Sequence, residues 1–451
     1  MQNNNALNQA LFKGPQSAAE LIARLNISQP TLSRRMAAMD NAIMRFGNAQ
    51  LTRYALVREL AGQRQFAVYR INGLGQAQLL ANITPVQPEG YIVRLVQENM
   101  GNAAATYHQS LPWWMNDIRP QGFVGRSFVH QWAALLSLPS ELNLWRDDHA
   151  LIALSQYGID CTGNLIVGDA ALNAYLNQAQ AQTIATNSRL QRYAELATAA
   201  LAGELVGSSA GGEQPKFNCL AEGTNTPYAA LIKFSTPQDN AATRRWRDLL
   251  IAEHIALSTL NQAGIACARS ELLESDSQTF LETTRFDRSF NSNGILGRLG
   301  LVSLGALDDE FAGLALAWPQ VTRVLAQQNI ITKAAHQTAA QVHAFGQLIA
   351  NADMHRGNLS FMHQGKLPLE IAPIYDMLPM HYAPRSSGLI PTEVPPINIS
   401  HAESLPNLRA MLPLAQDFWL AVTTDTRVSQ DFKAIAKLQI AQLNTLSTKI
   451  S

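Results

Sequence analysis

The sequence predicts an α+β protein: an N-terminal winged helix-turn-helix, then a larger two-lobed domain with a mostly helical C-terminal lobe. Three observations predict it. Two short capped helical patterns fall within residues 17–39, and strand-like alternation follows them. From about Glu204 onward, short apolar strands mix with helices, and helical patterns take over later. The chain has 451 residues, 47% of them hydrophobic, which is enough for two or three domains with packed cores. The boundaries read from the pattern are 1–75, 76–190 and 191–451.

The helix-turn-helix is read from "SAAELIARLNISQPTLSRRMAAM", Ser17 to Met39. Ser17 and Glu20 form a capping box, Leu21, Ile22 and Leu25 give an apolar face, and Asn26 stops the first helix. Ser28 caps the second, Pro30 fits its first turn, and Leu32, Met36 and Met39 form its apolar stripe. The outer face of this second helix carries Gln29, Thr31, Ser33, Arg34 and Arg35, residue types that contact phosphates and base edges in a major groove. The segments "IMRFGNAQLTRYAL" and "FAVYRINGLG" read as a β-hairpin wing, with Arg45, Arg53 and Arg64 toward a DNA backbone. Double-stranded DNA is therefore the expected partner of this module.

Residues 72–111 are strand-rich, in "AQLLANITPVQ" and "GYIVRLVQE". "LPWWMNDIRPQGFVGR" reads as a core strip, and "HALIALSQYGIDCTGNLIVGD" as helix, glycine turn and strand. "APRSSGLIPTEVPPINIS" is an extended surface loop between helices. Three scattered cysteines, Cys161, Cys219 and Cys267, exclude a disulfide framework or a zinc site. The N-terminus has no signal-peptide pattern, and no apolar run reaches membrane-spanning length. A soluble, cytoplasmic protein with no membrane partner is expected. Zero formal net charge excludes nothing, because a local basic patch can sit inside it.

Four segments carry the candidate chemistry. "VGSSAGGEQPKFNCL" sets small residues before Gln214 and Lys216, so that backbone N–H groups can approach phosphate oxygens beside a lysine charge. Taken alone, this segment fits a plain glycine-rich hairpin better. "YAALIKFS" places Lys233 in an apolar strand, where it needs a counter-charge. Glu253, on the amphipathic helix that follows, is the candidate partner; the alternative is an edge-exposed lysine with Glu253 solvated. In "IANADMHRGNLSF", Asp353 and Asn358 are five residues apart, the spacing of a kinase catalytic loop. Asn351 and His355 would brace that loop, and Arg356 is left as a surface residue. In "APIYDMLPM", Asp376 follows a short apolar strand, as the Mg²⁺-binding aspartate of kinases does.

With these motifs in this order, the chain resembles the HipA family of toxin serine/threonine kinases. It is most similar to members with their own N-terminal helix-turn-helix. The resemblance rests on "SAGGEQPK", "LIKFS", "TRFDR", "DMHRGNLS" and "PIYDMLP", and spans roughly residues 75–440. It implies a HipA-like N-terminal subdomain over 76–190 and a protein-kinase-like core over 191–451, with ATP and Mg²⁺ as cofactors. Asp353 would then be the catalytic base, Asn358 and Asp376 the Mg²⁺ ligands, and Lys233 a contact to ATP phosphates. Ser209, Gly211, Gly212, Gln214, Lys216, Thr283, Thr284, Phe286 and His355 would line the nucleotide site, with Thr283 and Thr284 at the adenine hinge. Ser209, or its neighbour Ser208, would be autophosphorylated. The family's acidic-polar segment after the hinge is poorly matched by "GRLGLVSLGALDDEFAG".

The resemblance further implies growth inhibition through a protein substrate such as an aminoacyl-tRNA synthetase, and an antitoxin or self-association as partner. Two other readings stay open on the sequence alone. One is a DNA-binding transcriptional regulator whose kinase-like domain only senses nucleotide. The other is a small-molecule kinase fused to its repressor.

Overall fold

The structure is a computed structural model that describes residues 2–39, 41–48, 51–96, 105–177, 183–202, 214–291, 294–397 and 405–450. The chain divides into two compact units. The first comprises Met1–Asn72, Gln76–Arg119 and Trp132–Ala179, and the second Gly73–Gly75, Pro120–Gln131 and Gln180–Ser451.

The first unit begins with α1 (Gln2–Phe12), α2 (Ala18–Leu25) and α3 (Gln29–Ala37), followed by β1 (Ile43–Phe46) and β2 (Arg53–Leu56). The capping box at α2 forms as expected: Ser17 Oγ accepts the Glu20 N–H at 3.3 Å, and Glu20 Oε2 accepts the Ser17 N–H at 2.6 Å. Asn26 ends the helix in the left-handed region at φ 49°. Ser28 differs from expectation, because its hydroxyl meets Thr31 Oγ1 at 3.0 Å instead of capping the backbone of α3. β2 pairs antiparallel with β1 and with Gln16–Ser17, closing a small three-stranded sheet. Leu21, Leu32 and Met39 share one core with Leu7, Ala10 and Leu11 of α1. Helix α1 is not anticipated by the sequence pattern. Its asparagine-rich start hides the i, i+3, i+4 spacing of those three buried residues.

One segment expected in a wing lies elsewhere. "FAVYRINGLG" does not belong to the hairpin with β1 and β2. Its strand, β3 (Phe66–Ile71), lies inside a five-stranded antiparallel sheet with β4 (Ala77–Pro85), β5 (Tyr91–Leu95), β6 (Thr106–His108) and β7 (Leu165–Val167), in the order β6-β5-β4-β3-β7. The reason is burial. Phe66 and Val68 are 1% and 0% exposed and need a second apolar layer. Leu151 and Leu154 of α4 (Asp147–Tyr157) supply that layer, together with Met115 and Ile118 of the "WWMNDI" turn. Arg53 and Arg64 are exposed, and each pairs with an exposed carboxylate, Glu20 and Glu59 respectively.

The second unit opens with α5 (Arg189–Ala202), β8 (Lys216–Ala221), β9 (Tyr228–Phe234), α6 (Ala241–Gln262), β10 (Ser270–Glu274) and β11 (Thr279–Thr284). These four strands run antiparallel in the order β10-β11-β9-β8. Alternation along β9 decides the site. Ala230, Ile232 and Phe234 join Tyr193 and Ala197 of α5 in one core, so the intervening Lys233 points to the opposite face, toward α6.

A hairpin, β12 (Arg288–Phe290) with β13 (Leu296–Arg298), leads to β14 (Leu301–Ser303), α7 (Trp318–Gln327) and α8 (Lys333–Leu348). Then follow β15 (Ser360–Met362), β16 (Glu370–Ile371), α9 (Leu405–Thr424) and α10 (Gln430–Ile450). β15 lies between β14 and β16. The helical core is aromatic, with Phe345, Tyr382, Phe418, Trp419 and Phe432 all fully buried. Among the described residues no helix is long and apolar enough to cross a membrane.

Candidate active site

Lys233 lies on an interior strand and is 4% exposed. Its ammonium donates to both carboxylate oxygens of Glu253, at 2.6 and 2.8 Å, and also to Asp376 Oδ1. Glu253, on α6, is 1% exposed. The expected Lys233–Glu253 pair is therefore present, and an edge-exposed lysine is excluded. Burial alone would lower the Lys233 pKa, but Asp376 and then Glu253 outweigh it and hold the amine protonated. Burial works against the Asp376 carboxylate too. Lys233, then Lys216 and more weakly His355, overcome it and keep this carboxyl well below the usual range. Glu253 moves the other way, because burial dominates the attraction of Lys233 and raises it. Lys216 is the cross-strand neighbour of Lys233, which explains its reach.

Asp376 adopts φ 52°, unusual for a residue with a side chain, directly after the β14–β16 sheet. Backbone strain of this kind persists only where the surroundings over-determine it, and it gathers at functional sites. Here Asn351 contributes, since its Nδ2 donates to the Asp376 carbonyl at 3.5 Å.

The 351–358 loop leaves the C-terminal end of α8 and enters β15. Its parts hold one another. Asn351 Oδ1 accepts the Asp353 N–H at 3.0 Å, and Asn358 Nδ2 donates to the Asp353 carbonyl at 2.8 Å. His355 Nδ1 accepts the Gly357 N–H at 3.0 Å. The Asp353 carboxylate is half exposed, with His355 Nε2 4.0 Å away. Asn351 and His355 thus brace the loop, as their place in the sequence suggests. Arg356, unassigned in the sequence with a surface role as the default, is 31% exposed and pairs with the fully buried Asp308 at 2.5 Å and with Asp309 at 3.0 Å.

Thr283 and Thr284 end β11, and the Phe286 ring sits 5.8 Å from that of Tyr375. The Tyr375 hydroxyl donates to the Gly357 carbonyl at 2.9 Å, which links Phe286 to the loop. Two buried polar atoms in this region, Gln214 Nε2 and Thr283 Oγ1, have no hydrogen-bond partner among the described residues. Ser208, Ser209, Gly211 and Gly212 lie outside the described residues.

Comparison with known proteins shows the family. Residues 208–443 match the family described as HipA-like C-terminal domain, and residues 62–176 match the YjjJ-like toxin middle domain. Toxin YjjJ of Escherichia coli (strain K12) is 40% identical over 449 residues, covering 99% of this chain and 98% of that protein. The chain belongs to the HipA-like toxin family. Within that family it is similar to YjjJ along its whole length. The Shewanella oneidensis MR-1 toxin–antitoxin complex of HipA, HipB and operator DNA aligns with TM-score 0.51 at 14% identity. That alignment covers 84% of this chain and 97% of the other, which supports a shared fold.

Sequence reasoning missed several residues of the site: Asp308, Trp318, Tyr375, and the pair Gly346–Met354. Asp308 and Trp318 belong to no local motif, and Tyr375 and Met354 sit inside motifs whose polar residues drew the attention. Gly346, on α8, is the exception in having a readable signal, a glycine in a helix interior. Its missing side chain leaves room for Met354, whose sulfur would collide with a Cβ there.

Proposed function

We propose that this chain is an ATP- and Mg²⁺-dependent protein kinase that phosphorylates serine or threonine hydroxyls. Its N-terminal module would be a winged helix-turn-helix that binds double-stranded DNA. The observation that carries the kinase reading is Lys233, held by Glu253 and Asp376 in the same unit as the 351–358 loop. A buried lysine paired with a helix glutamate, followed by Asp-x₄-Asn and a further aspartate, is what phosphoryl transfer uses.

The residues present fit a nucleotide and a cation. Gln214 Nε2 and Thr283 Oγ1 are buried polar atoms that a ligand would satisfy. Among the described residues no cluster of three or more His, Cys, Asp or Glu could hold a metal. Mg²⁺ is commonly held by one or two carboxylates together with substrate phosphates. Asp376 and Asn358 would hold it. Bound ATP and Mg²⁺ would supply the transferable phosphoryl group and its counter-charge. Lys233 and Lys216 would face phosphate oxygens, and Thr283, Thr284 and Phe286 would border the base. The Asp353 carboxylate would orient the attacking hydroxyl and accept its proton.

The family resemblance supports Ser209 or Ser208 as an autophosphorylation site, with Gly211 and Gly212 in the same loop. It also supports growth inhibition through a phosphorylated protein, such as an aminoacyl-tRNA synthetase. For the N-terminal module, the support is the α2–turn–α3 pair with Gln29, Ser33 and Arg34 exposed and Thr31 and Arg35 half-exposed. The HipB and operator DNA of the Shewanella complex make an antitoxin or DNA partner a natural extension.

The test is transfer of label from [γ-³²P]ATP by the full-length protein and by Asp353→Ala. Loss of transfer with an unchanged fold is expected. Undiminished labelling in the variant would contradict the assignment.

A further inference from the structure

The 353–358 loop is gripped from outside by a stretch that no motif marks. Leu304 N–H donates to the Leu359 carbonyl at 2.8 Å. Trp318, 1% exposed at the start of α7, donates its indole N–H to the His355 carbonyl at 3.1 Å. Between these two anchors stands Asp308, which is 0% exposed. Its Oδ1 accepts the Leu314 N–H and its Oδ2 the Ala315 N–H, each at 2.9 Å, and Oδ2 also accepts from Arg356. Asp308 is therefore fixed by the backbone of its own turn, and it presents a rigid, desolvated carboxylate to the loop.

This is not an ordinary surface ion pair, whose contribution is small. A fully buried carboxylate that loses its cation is left uncompensated, which makes the contact strongly preferred over its rupture. The grip reaches the chemistry through short connections. Arg356 is flanked by His355, whose carbonyl accepts the Asn358 N–H at 3.0 Å and whose Nδ1 accepts the Gly357 N–H. Asn358 in turn donates to the Asp353 carbonyl.

We propose that Arg356 and Asp308 are positioning residues that hold the 353–358 loop, fixing the Asp353 carboxylate relative to the Asn358 amide. The proposal deepens the kinase reading above and rests on it. Supporting contacts of this kind matter because misplacing a reacting group by about 1 Å can cost on the order of 100-fold in rate.

The experiment compares wild-type protein with Arg356→Ala and Arg356→Lys. Hydrogen exchange of peptides spanning 352–361 is measured beside steady-state phosphoryl transfer. In Arg356→Ala, loop amides are expected to exchange about tenfold faster while β9 peptides stay unchanged. Turnover should fall about 10- to 100-fold with the KM for ATP held within about threefold, and Arg356→Lys should recover part of it. Unchanged loop exchange in Arg356→Ala overturns the proposal, and so does faster exchange with full turnover. If wild-type protein transfers no phosphoryl group, the kinase reading fails separately. The exchange result still decides whether the pair holds the loop.

Discussion

Lys233 and Glu253 form a closed pair, with the ammonium donating to both carboxylate oxygens from an interior strand at 2.6 and 2.8 Å. Both side chains are almost fully buried. Removing one partner of such a pair should cost about 3–5 kcal/mol, because the other charge stays buried without compensation. Lys233→Met is therefore expected to lower the Tm markedly. Lys233→Met with Glu253→Leu should regain much of that stability yet remain inactive. Thermal melts beside phosphoryl-transfer assays check this. Activity that returned together with stability would show that Lys233 serves packing only.

Gly346 and Met354 give a second expectation. Gly346 is buried in α8, and a Cβ there would collide with the Met354 sulfur and crowd that of Met377 at 3.4 Å. Gly346→Ala should cost about 1–3 kcal/mol by overpacking and displace the residue next to Asp353, lowering turnover. Met354→Ala added to it should restore part of both. Urea titration with kinetics on the single and double variants would measure the effect, and independent, additive losses would argue against a shared seat.

Two histidines of the second unit set a pH dependence. Burial holds His254 and His336 below their ordinary value of 6.5, aided by the positive charges of Arg427 and Arg323 respectively. Each ring meets a hydroxyl in its vicinity, Ser270 Oγ at 2.9 Å and Thr322 Oγ1 at 2.8 Å. The unfolded chain binds protons near pH 6.5 where the folded chain does not, so these groups stabilise the fold above that pH. Their contribution is lost as pH falls through the lower, folded values. The Tm should decline below pH 6.5, and His254→Gln with His336→Gln should flatten that decline. Tm measured against pH for both proteins decides.

For the N-terminal module, Arg34→Ala with Arg35→Ala should weaken duplex DNA binding. It should also reduce the slope of log affinity against log salt by about 2, roughly one for each phosphate that is no longer neutralised. Fluorescence anisotropy across a salt series reads both quantities. An unchanged slope would remove this helix face from the interface.

Much of the site was legible in the sequence because its groups are written in local patterns. Lys233 in an apolar strand, Glu253 on the next amphipathic helix, the Asp353–Asn358 spacing and Asp376 after a strand each carry a short-range signal. The Arg356–Asp308 contact does not, since it joins residues 48 apart through a turn with no periodicity. The two N-terminal helices were readable from their caps and apolar stripes. Helix α1 was not, because asparagines dilute its apolar face. Phe66–Ile71 misled for a physical reason: alternation identifies a strand but not the sheet it joins. That choice belongs to Leu151 and Leu154, far along the chain, which cover Phe66 and Val68.

The most direct test is mass spectrometry of the purified full-length protein after incubation with Mg²⁺ and ATP, beside Asp353→Ala treated alike. The account predicts added phosphate on the wild-type chain, localised to Ser208 or Ser209, and none on the variant. Equal phosphate on both proteins, or none on the wild type under conditions where it binds ATP, would contradict it.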